Sequence, residues 1–197
     1  MKLLICEGGD GLGKNSLIEG LCKYFNYDNI TIRHFGKPPK DLNPEEVLDF
    51  QFRSFYNEGN FVEHIYDRFK KHDYYDETVI WNRSHLGEYV YGQMFRNADP
   101  NFLKTKLLFF EKFFLDSKDI YLITLTSDPK FFLEKEDGQS FSKNLEQKTK
   151  ELELFKEAHE FSTIDKKLLV KVDKDEKFRC KEDILDEVIN FINKKIL

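Results

Sequence analysis

Apolar residues along this chain fall into two alternating rhythms. The first is a set of short, strand-length runs: Leu3-Leu4-Ile5-Cys6, Ile30-Thr31-Ile32-Arg33-His34, Thr78-Val79-Ile80-Trp81, Ile120-Tyr121-Leu122-Ile123-Thr124-Leu125 and Leu168-Leu169-Val170-Lys171-Val172. Between them, apolar residues recur at helical spacing: Leu17, Leu21 and Tyr24; Leu103, Leu107, Phe110 and Phe114; Leu152, Phe155 and Ala158; Ile184, Val188, Phe191 and Ile192. The alternation, with no internal repeat, predicts one α/β domain over 1–197, a parallel five-stranded sheet flanked by helices. Gly36-Lys37-Pro38-Pro39 should stop the second strand. From 44 to 72 the pattern reads as two helices, one carrying Leu48, Phe52 and Phe55 and the next Phe61, Ile65 and Phe69, parted at Asn57-Glu58-Gly59-Asn60. These helices suit a substrate-binding wall. Asp128-Pro129 should open a short helix that fades into a polar stretch reaching Lys143; the segment from about 128 to 150 suits either a lid or an ordinary solvated loop.

The first run leads into Cys6-Glu7-Gly8-Gly9-Asp10-Gly11-Leu12-Gly13-Lys14-Asn15-Ser16. Its frame, Gly8-x-x-x-x-Gly13-Lys14, lies between a strand and a helix, the setting of a phosphate loop. Glycines let the backbone bend around an anion and bring its N–H groups close, and the helix N-terminus adds to the field. Lys14 supplies a mobile charge. Gly8, Gly11, Gly13, Lys14, Asn15 and Ser16 are therefore the expected nucleotide-phosphate residues. The hydroxyl that usually follows the lysine and ligates Mg²⁺ is here an amide, Asn15, a weaker hard-cation ligand, and a hydroxyl comes one place later at Ser16.

Composition narrows the function. At 197 residues, with 40% hydrophobic and 15% aromatic residues, the chain suits one sizeable core. The formal net charge of -5 argues against a general nucleic-acid surface. No apolar stretch approaches a membrane span and Met1-Lys2 opens no targeting signal, so a cytoplasmic protein with reduced cysteines Cys6, Cys22 and Cys180 is expected. Lysines greatly outnumber arginines, which makes Arg33, Arg53, Arg68, Arg83, Arg96 and Arg179 the informative cations. Arg83 follows the third strand within Asn82-Arg83-Ser84-His85-Leu86-Gly87-Glu88-Tyr89-Val90-Tyr91, so it and the phosphate loop both fall at carboxyl ends of strands, where ligands collect. From residue types alone, Arg83 suits a phosphate or a bridge between loop carbonyls. Tyr91 suits a pocket or a helix–core contact, and Phe52 suits the core or a base platform. Glu88 suits a solvated helix face, a sugar or magnesium-bound water, and His85 reads as a polar residue at a helix start.

Glu7-Gly8-Gly9-Asp10-Gly11-Leu12-Gly13-Lys14 resembles the E-G-x-D-G-x-G-K loop of the thymidylate kinase family, a group of P-loop NTPase folds. Asn82-Arg83 stands where that family has Asp-Arg, and Tyr91 and Arg96 follow at about the family's spacing. The run from Trp81 to Tyr91 is most similar to phage-encoded deoxynucleotide kinases. The resemblance implies ATP and Mg²⁺ as cofactors and a deoxynucleoside monophosphate, dTMP or a similar one, as acceptor. It implies Lys14 on the ATP phosphates, Asp10 on the sugar hydroxyl and acceptor, Arg83 on the transferring phosphate, Tyr91 against the sugar 2′ position, and Phe52 and Arg53 as nearest candidates for the base. Asn82 in place of aspartate shifts the metal task toward Asp10 or Glu88, and the lid offers Lys130, Lys135 and Lys143 where relatives have arginines. A homodimer is expected from the resemblance alone. Two other readings stand beside it: a deoxynucleoside kinase, since Arg83-Ser84 also resembles that family's Glu-Arg-Ser, and a non-catalytic nucleotide-binding regulator, which Asn15 and Asn82 would fit.

Overall fold

The computed structural model describes residues 1–35, 38–39, 41–71, 77–115, 119–135, 138 and 140–194, with side chains at 68–71 left aside. Gly36 and Lys37 of the second strand's stop, His72 at the end of the helical wall, and Glu136, Asp137 and Gln139 of the lid lie outside the described residues. Five strands form one parallel sheet: β1 (Lys2–Glu7), β2 (Ile30–His34), β3 (Thr78–Asn82), β4 (Ile120–Thr126) and β5 (Lys166–Lys171), in the order β2-β3-β1-β4-β5. β1 lies at the centre, paired with β3 on one side and β4 on the other. The direction of winding reverses there, so its carboxyl end opens into the crevice where α/β sheets bind ligands.

Alternation along each strand builds two cores. Leu3, Ile5, Val79, Trp81 and Leu122 face one layer of helices, and Leu4, Cys6, Ile80, Tyr121 and Ile123 face the other. The first layer holds α2 (Pro44–Lys71), α3 (His85–Arg96), α4 (Pro100–Phe110) and α6 (Leu145–Phe161); α1 (Lys14–Phe25), α5 (Pro129–Glu134) and α7 (Lys181–Asn193) belong to the second. The short helix expected at Asp128-Pro129 is α5, capped by the Asp128 carboxylate. Among the described residues no helix is long and apolar enough to cross a membrane.

Three elements differ from the sequence expectation. The wall from Pro44 is one continuous helix rather than two. Its N-terminus is fixed by reciprocal bonds between Asn43 and Glu46. Its buried stripe runs Val47, Gln51, Phe55, Gly59, Val62 and Ile65. Gly59 continues the helix because a Cβ there would come within 2.5 Å of the Phe114 ring, so the glycine makes room for a core aromatic instead of breaking the helix. After α4 the chain adds a π turn, Glu111–Leu115, that buries Glu111. Between β5 and α7 lies a small antiparallel hairpin, β6 (Asp173–Lys174) and β7 (Lys177–Phe178), which the apolar pattern did not announce.

Candidate active site

The phosphate loop spans the step from β1 to α1. Gly8 has φ 130°, and a Cβ there would come within 2.6 Å of the Leu125 carbonyl oxygen, so β1 and β4 can meet above it only if it is glycine. Gly13, at φ 88°, is the N-cap of α1 and offers no side chain to its first amides. Those N–H groups are left facing the loop as an anion site. Lys14 is buried, and its Nζ donates to the carbonyls of Gly8 and Gly9, each at 2.6 Å. Burial pulls its pKa down to about 8, against the carboxylates of Glu7 and Glu151.

The end of β3 meets this loop from the side. Arg83 has φ 64°, a strained backbone for a non-glycine residue, and its N–H donates to the Cys6 carbonyl at 2.9 Å. Its guanidinium pairs with Asp10 of the loop. The two residues that depart from the thymidylate kinase pattern touch one another: Asn82 Nδ2 donates to Asn15 Oδ1 at 2.9 Å and also lies 2.9 Å from His34 Nδ1. Asn82 Oδ1 has no partner among the described residues.

From α3, Glu88 accepts from Arg96 Nε at 3.1 Å; burial raises its pKa, with Arg96 opposing. Tyr91 donates its hydroxyl to Glu151 Oε1 at 2.8 Å, and its ring centroid lies 5.3 Å from that of Phe141. Phe141 belongs to the segment before α6, whose Ser140 hydroxyl accepts from the buried Lys148 ammonium at 2.9 Å.

Two cavities result, and they abut. One is lined by Asp10, Gly11, Gly13, Lys14, Asn15 and Ser16 with His34, Phe35, Asn82 and Arg83. The other is walled by Phe35, Phe55, Tyr91 and Phe141, with Gln51, Arg83, Ser84, Glu88 and Arg96 supplying polar atoms. Phe35 and Arg83 belong to both. On the opposite side of the loop, Gly11, Leu12 and Ser16 form a groove with Val172, Phe178 and Arg179.

The structure thus brings together Gly8, Asp10, Gly11, Gly13, Lys14, Asn15, Ser16, Arg83, Glu88, Tyr91 and Arg96. It sets Phe52 and Arg53 apart: Phe52 packs on Phe55 and Phe102, and Arg53 is exposed and paired with Asp49 at 2.8 Å. Gln51 and Phe55 take the positions facing the pocket. Residues the sequence reading passed over are Phe35, Gln51, Phe55, Phe141 and Glu151. For Gln51 and Glu151 there was a signal, since each falls on the buried stripe of its helix.

No protein-family model matches the chain, and no curated protein matches it by sequence. Its architecture is that of a P-loop kinase of the nucleoside monophosphate kinase type: a five-stranded parallel sheet flanked by helices, with a glycine loop after the central strand. Among solved structures it is similar to thymidylate kinase from Ehrlichia chaffeensis, with a TM-score of 0.67 at 13% identity over 98% of both chains. Thymidylate kinase from Candida albicans gives a TM-score of 0.66 at 13% identity, covering 96% of this chain and 90% of that one. Deoxyadenosine kinase from M. mycoides, solved with dCMP and dCDP, gives 0.59 at 18% identity over 98% and 99%. The fold is therefore thymidylate kinase-like.

Proposed function

We propose that the chain transfers the γ-phosphoryl group of ATP to the phosphate of a deoxynucleoside monophosphate, dTMP or a similar one, giving ADP and the diphosphate. The observation that carries this reading is the junction of the two cavities at Arg83. A transferring group held between an anion site and a flat aromatic-walled pocket needs one cation within reach of both, and Arg83 stands there.

In this reading Lys14 leaves the Gly8 and Gly9 carbonyls for the ATP phosphates, which restores its positive charge as the anion offsets its burial. The loop amides and the N-terminus of α1 hold the β-phosphate, and the groove beside Phe178 and Arg179 takes the adenosine. The acceptor's base lies against the wall that Phe35 and Phe55 form, their ring centroids 5.5 Å apart, where the Gln51 amide offers one donor and one acceptor to its edge. Tyr91, tied to Glu151, presents its ring edge to the sugar 2′ position. Arg83 releases Asp10 to grip the transferring phosphoryl, and Asp10 becomes available to the sugar hydroxyl. An acceptor phosphate oxygen forms the new P–O bond as the β–γ bridging P–O bond breaks. Positioning and charge neutralisation suffice for this chemistry.

Mg²⁺ fits this site as a largely hydrated ion carried on the triphosphate. Among the described residues no cluster of three His, Cys, Asp or Glu side chains could hold a metal, and Glu88 is held by Arg96. Hard oxygens are available at Asp10, Asn15 and the unpartnered Asn82 Oδ1. When bound there, the ion neutralises phosphate charge.

One observation favours a second reading. A nucleoside acceptor requires a base for its hydroxyl, and Glu88 is a pocket carboxylate whose pKa burial raises. Steady-state ADP release with Mg²⁺-ATP against deoxynucleoside monophosphates, ribonucleotides and free nucleosides separates the two. Turnover with a deoxymonophosphate supports the first reading, and turnover restricted to nucleosides replaces it with the second.

A further inference from the structure

A chain of buried polar side chains runs away from the phosphate loop toward Glu111. Glu7, the last residue of β1, is fully buried; its Oε1 accepts from Ser84 Oγ at 2.8 Å and, more weakly, from the Gly87 N–H at 3.4 Å. Ser84 is the N-cap residue of α3, yet it makes no side-chain cap. Its hydroxyl lies instead 2.9 Å from His85 Nδ1. His85, also fully buried, reaches Glu111 Oε1 through Nε2 at 2.8 Å, and Glu111 accepts further bonds from Ser162 Oγ, Thr163 N and Thr163 Oγ1. Burial acts to raise the pKa of Glu111, but His85 and these hydroxyls take it below its ordinary value.

Counting hydrogens limits the bridge through Ser84 to two arrangements, while Glu7 Oε2 stays buried with no partner among the described residues. Ser84 has one hydroxyl hydrogen for two close partners. With His85 Nε2 giving a hydrogen to the Glu111 carboxylate, a Ser84 hydrogen given to Glu7 requires a second one on His85 Nδ1; given to His85, it requires one on Glu7. Any other arrangement sets two lone pairs against each other in a dry interior.

What this bridge holds is the turn at Arg83. Consecutive residues of β1 grip consecutive residues after β3: Cys6 takes the Arg83 N–H and Glu7 takes the Ser84 hydroxyl. Between them lies the left-handed backbone of Arg83. A backbone conformation of that kind persists where its surroundings over-determine it. We infer that Glu7 is a positioning residue, which through Ser84 fixes the strained turn that aims the Arg83 guanidinium at the phosphate loop. The inference rests on the phosphotransfer reading, in which Arg83 meets the transferring group.

The experiment combines Ser84→Ala and Glu7→Gln with Arg83→Ala. Ser84→Ala should lower kcat by roughly 10²-fold, the scale of a small misplacement at a reacting centre, with the acceptor KM changed by less than about threefold. Glu7→Gln should leave amide exchange at Arg83 near that of the wild type, because the amide oxygen keeps the bonds from Ser84 Oγ and the Gly87 N–H. In the Arg83→Ala background, Ser84→Ala should cause no further loss, since its effect runs through that guanidinium. Amide hydrogen exchange at Arg83 should accelerate in Ser84→Ala, which reads the turn without turnover. Wild-type kcat in Ser84→Ala, or losses that simply multiply with Arg83→Ala, would overturn the inference. If the wild-type protein transfers phosphate to no acceptor, the phosphotransfer reading fails separately, and unchanged exchange at Arg83 would then overturn the bridge.

Discussion

Burial and chemistry pull against each other at Lys14. A buried ammonium loses hydration, which takes its pKa down to about 8, while the Glu7 and Glu151 carboxylates hold it charged. In the proposed reading the charged form binds phosphate, so as pH rises through about 8 the free protein loses its cation. kcat/KM for ATP should therefore fall above about pH 8, whereas kcat, read in the complex where anions restore the charge, should hold to higher pH. A kcat/KM profile flat across that range would separate Lys14 from nucleotide capture. Lys14→Ala should abolish transfer with the far-UV dichroism unchanged.

The Asn15–Asn82 pair belongs to this scale as well. Asn82→Asp should fold, because the Asn15 amide can turn and donate to the new carboxylate. It should also lower the Mg²⁺ concentration needed for half-maximal rate, as an added charge favours a hard cation beside the triphosphate. A magnesium titration identical to wild type would remove Asn82 from the metal's surroundings. Among single residues, those of the phosphate loop were legible because six neighbours in sequence build one site. Gln51 and Glu151 carried a weaker signal: each stands at helical spacing from buried apolar neighbours, but a polar residue on a helix reads as solvated until the opposing surface is known.

At the scale of elements, α2 shows how a periodic pattern can be read one position off. Leu48, Phe52 and Phe55 gave helical spacing, but the buried line is Val47, Gln51, Phe55, Gly59 and Val62, with a polar residue and a glycine in apolar positions. That shift turned Phe52 and Arg53 away from the pocket and brought Gln51 in. It also joined two expected helices into one, since Gly59 marks a close contact with Phe114. Glycine to alanine in a helix interior ordinarily stabilises by about 1 kcal/mol. Gly59→Ala should instead destabilise by about 1–3 kcal/mol, the usual cost of overpacking, and Phe114→Leu in the same chain should recover part of it. Chemical denaturation of these two variants beside the wild type checks this, and a stabilised Gly59→Ala would contradict the contact. The five strands of the parallel sheet, by contrast, were legible to within two residues at their ends, because each is a short apolar run bounded by turn residues.

On the scale of the whole molecule, the account depends on where β1 lies. A central strand with neighbours wound in opposite directions opens its carboxyl end into a crevice, and the phosphate loop, the Arg83 turn and the aromatic pocket all border that opening. The fold class could be read from the strand–helix alternation together with the loop. The abutting cavities could not, since they draw Phe35 from the end of β2, Phe55 from α2 and Phe141 from the segment before α6, residues that only tertiary packing brings together.

Transfer between those two cavities can be followed with a γ-phosphate label. The protein is incubated with Mg²⁺ and ATP labelled in its γ-phosphate, together with a deoxynucleoside monophosphate panel, and the products are separated. The account predicts label in a deoxynucleoside diphosphate, retained neither by Lys14→Ala nor, beyond a trace, by Arg83→Ala. ATP that binds with its label never leaving for any acceptor would contradict it.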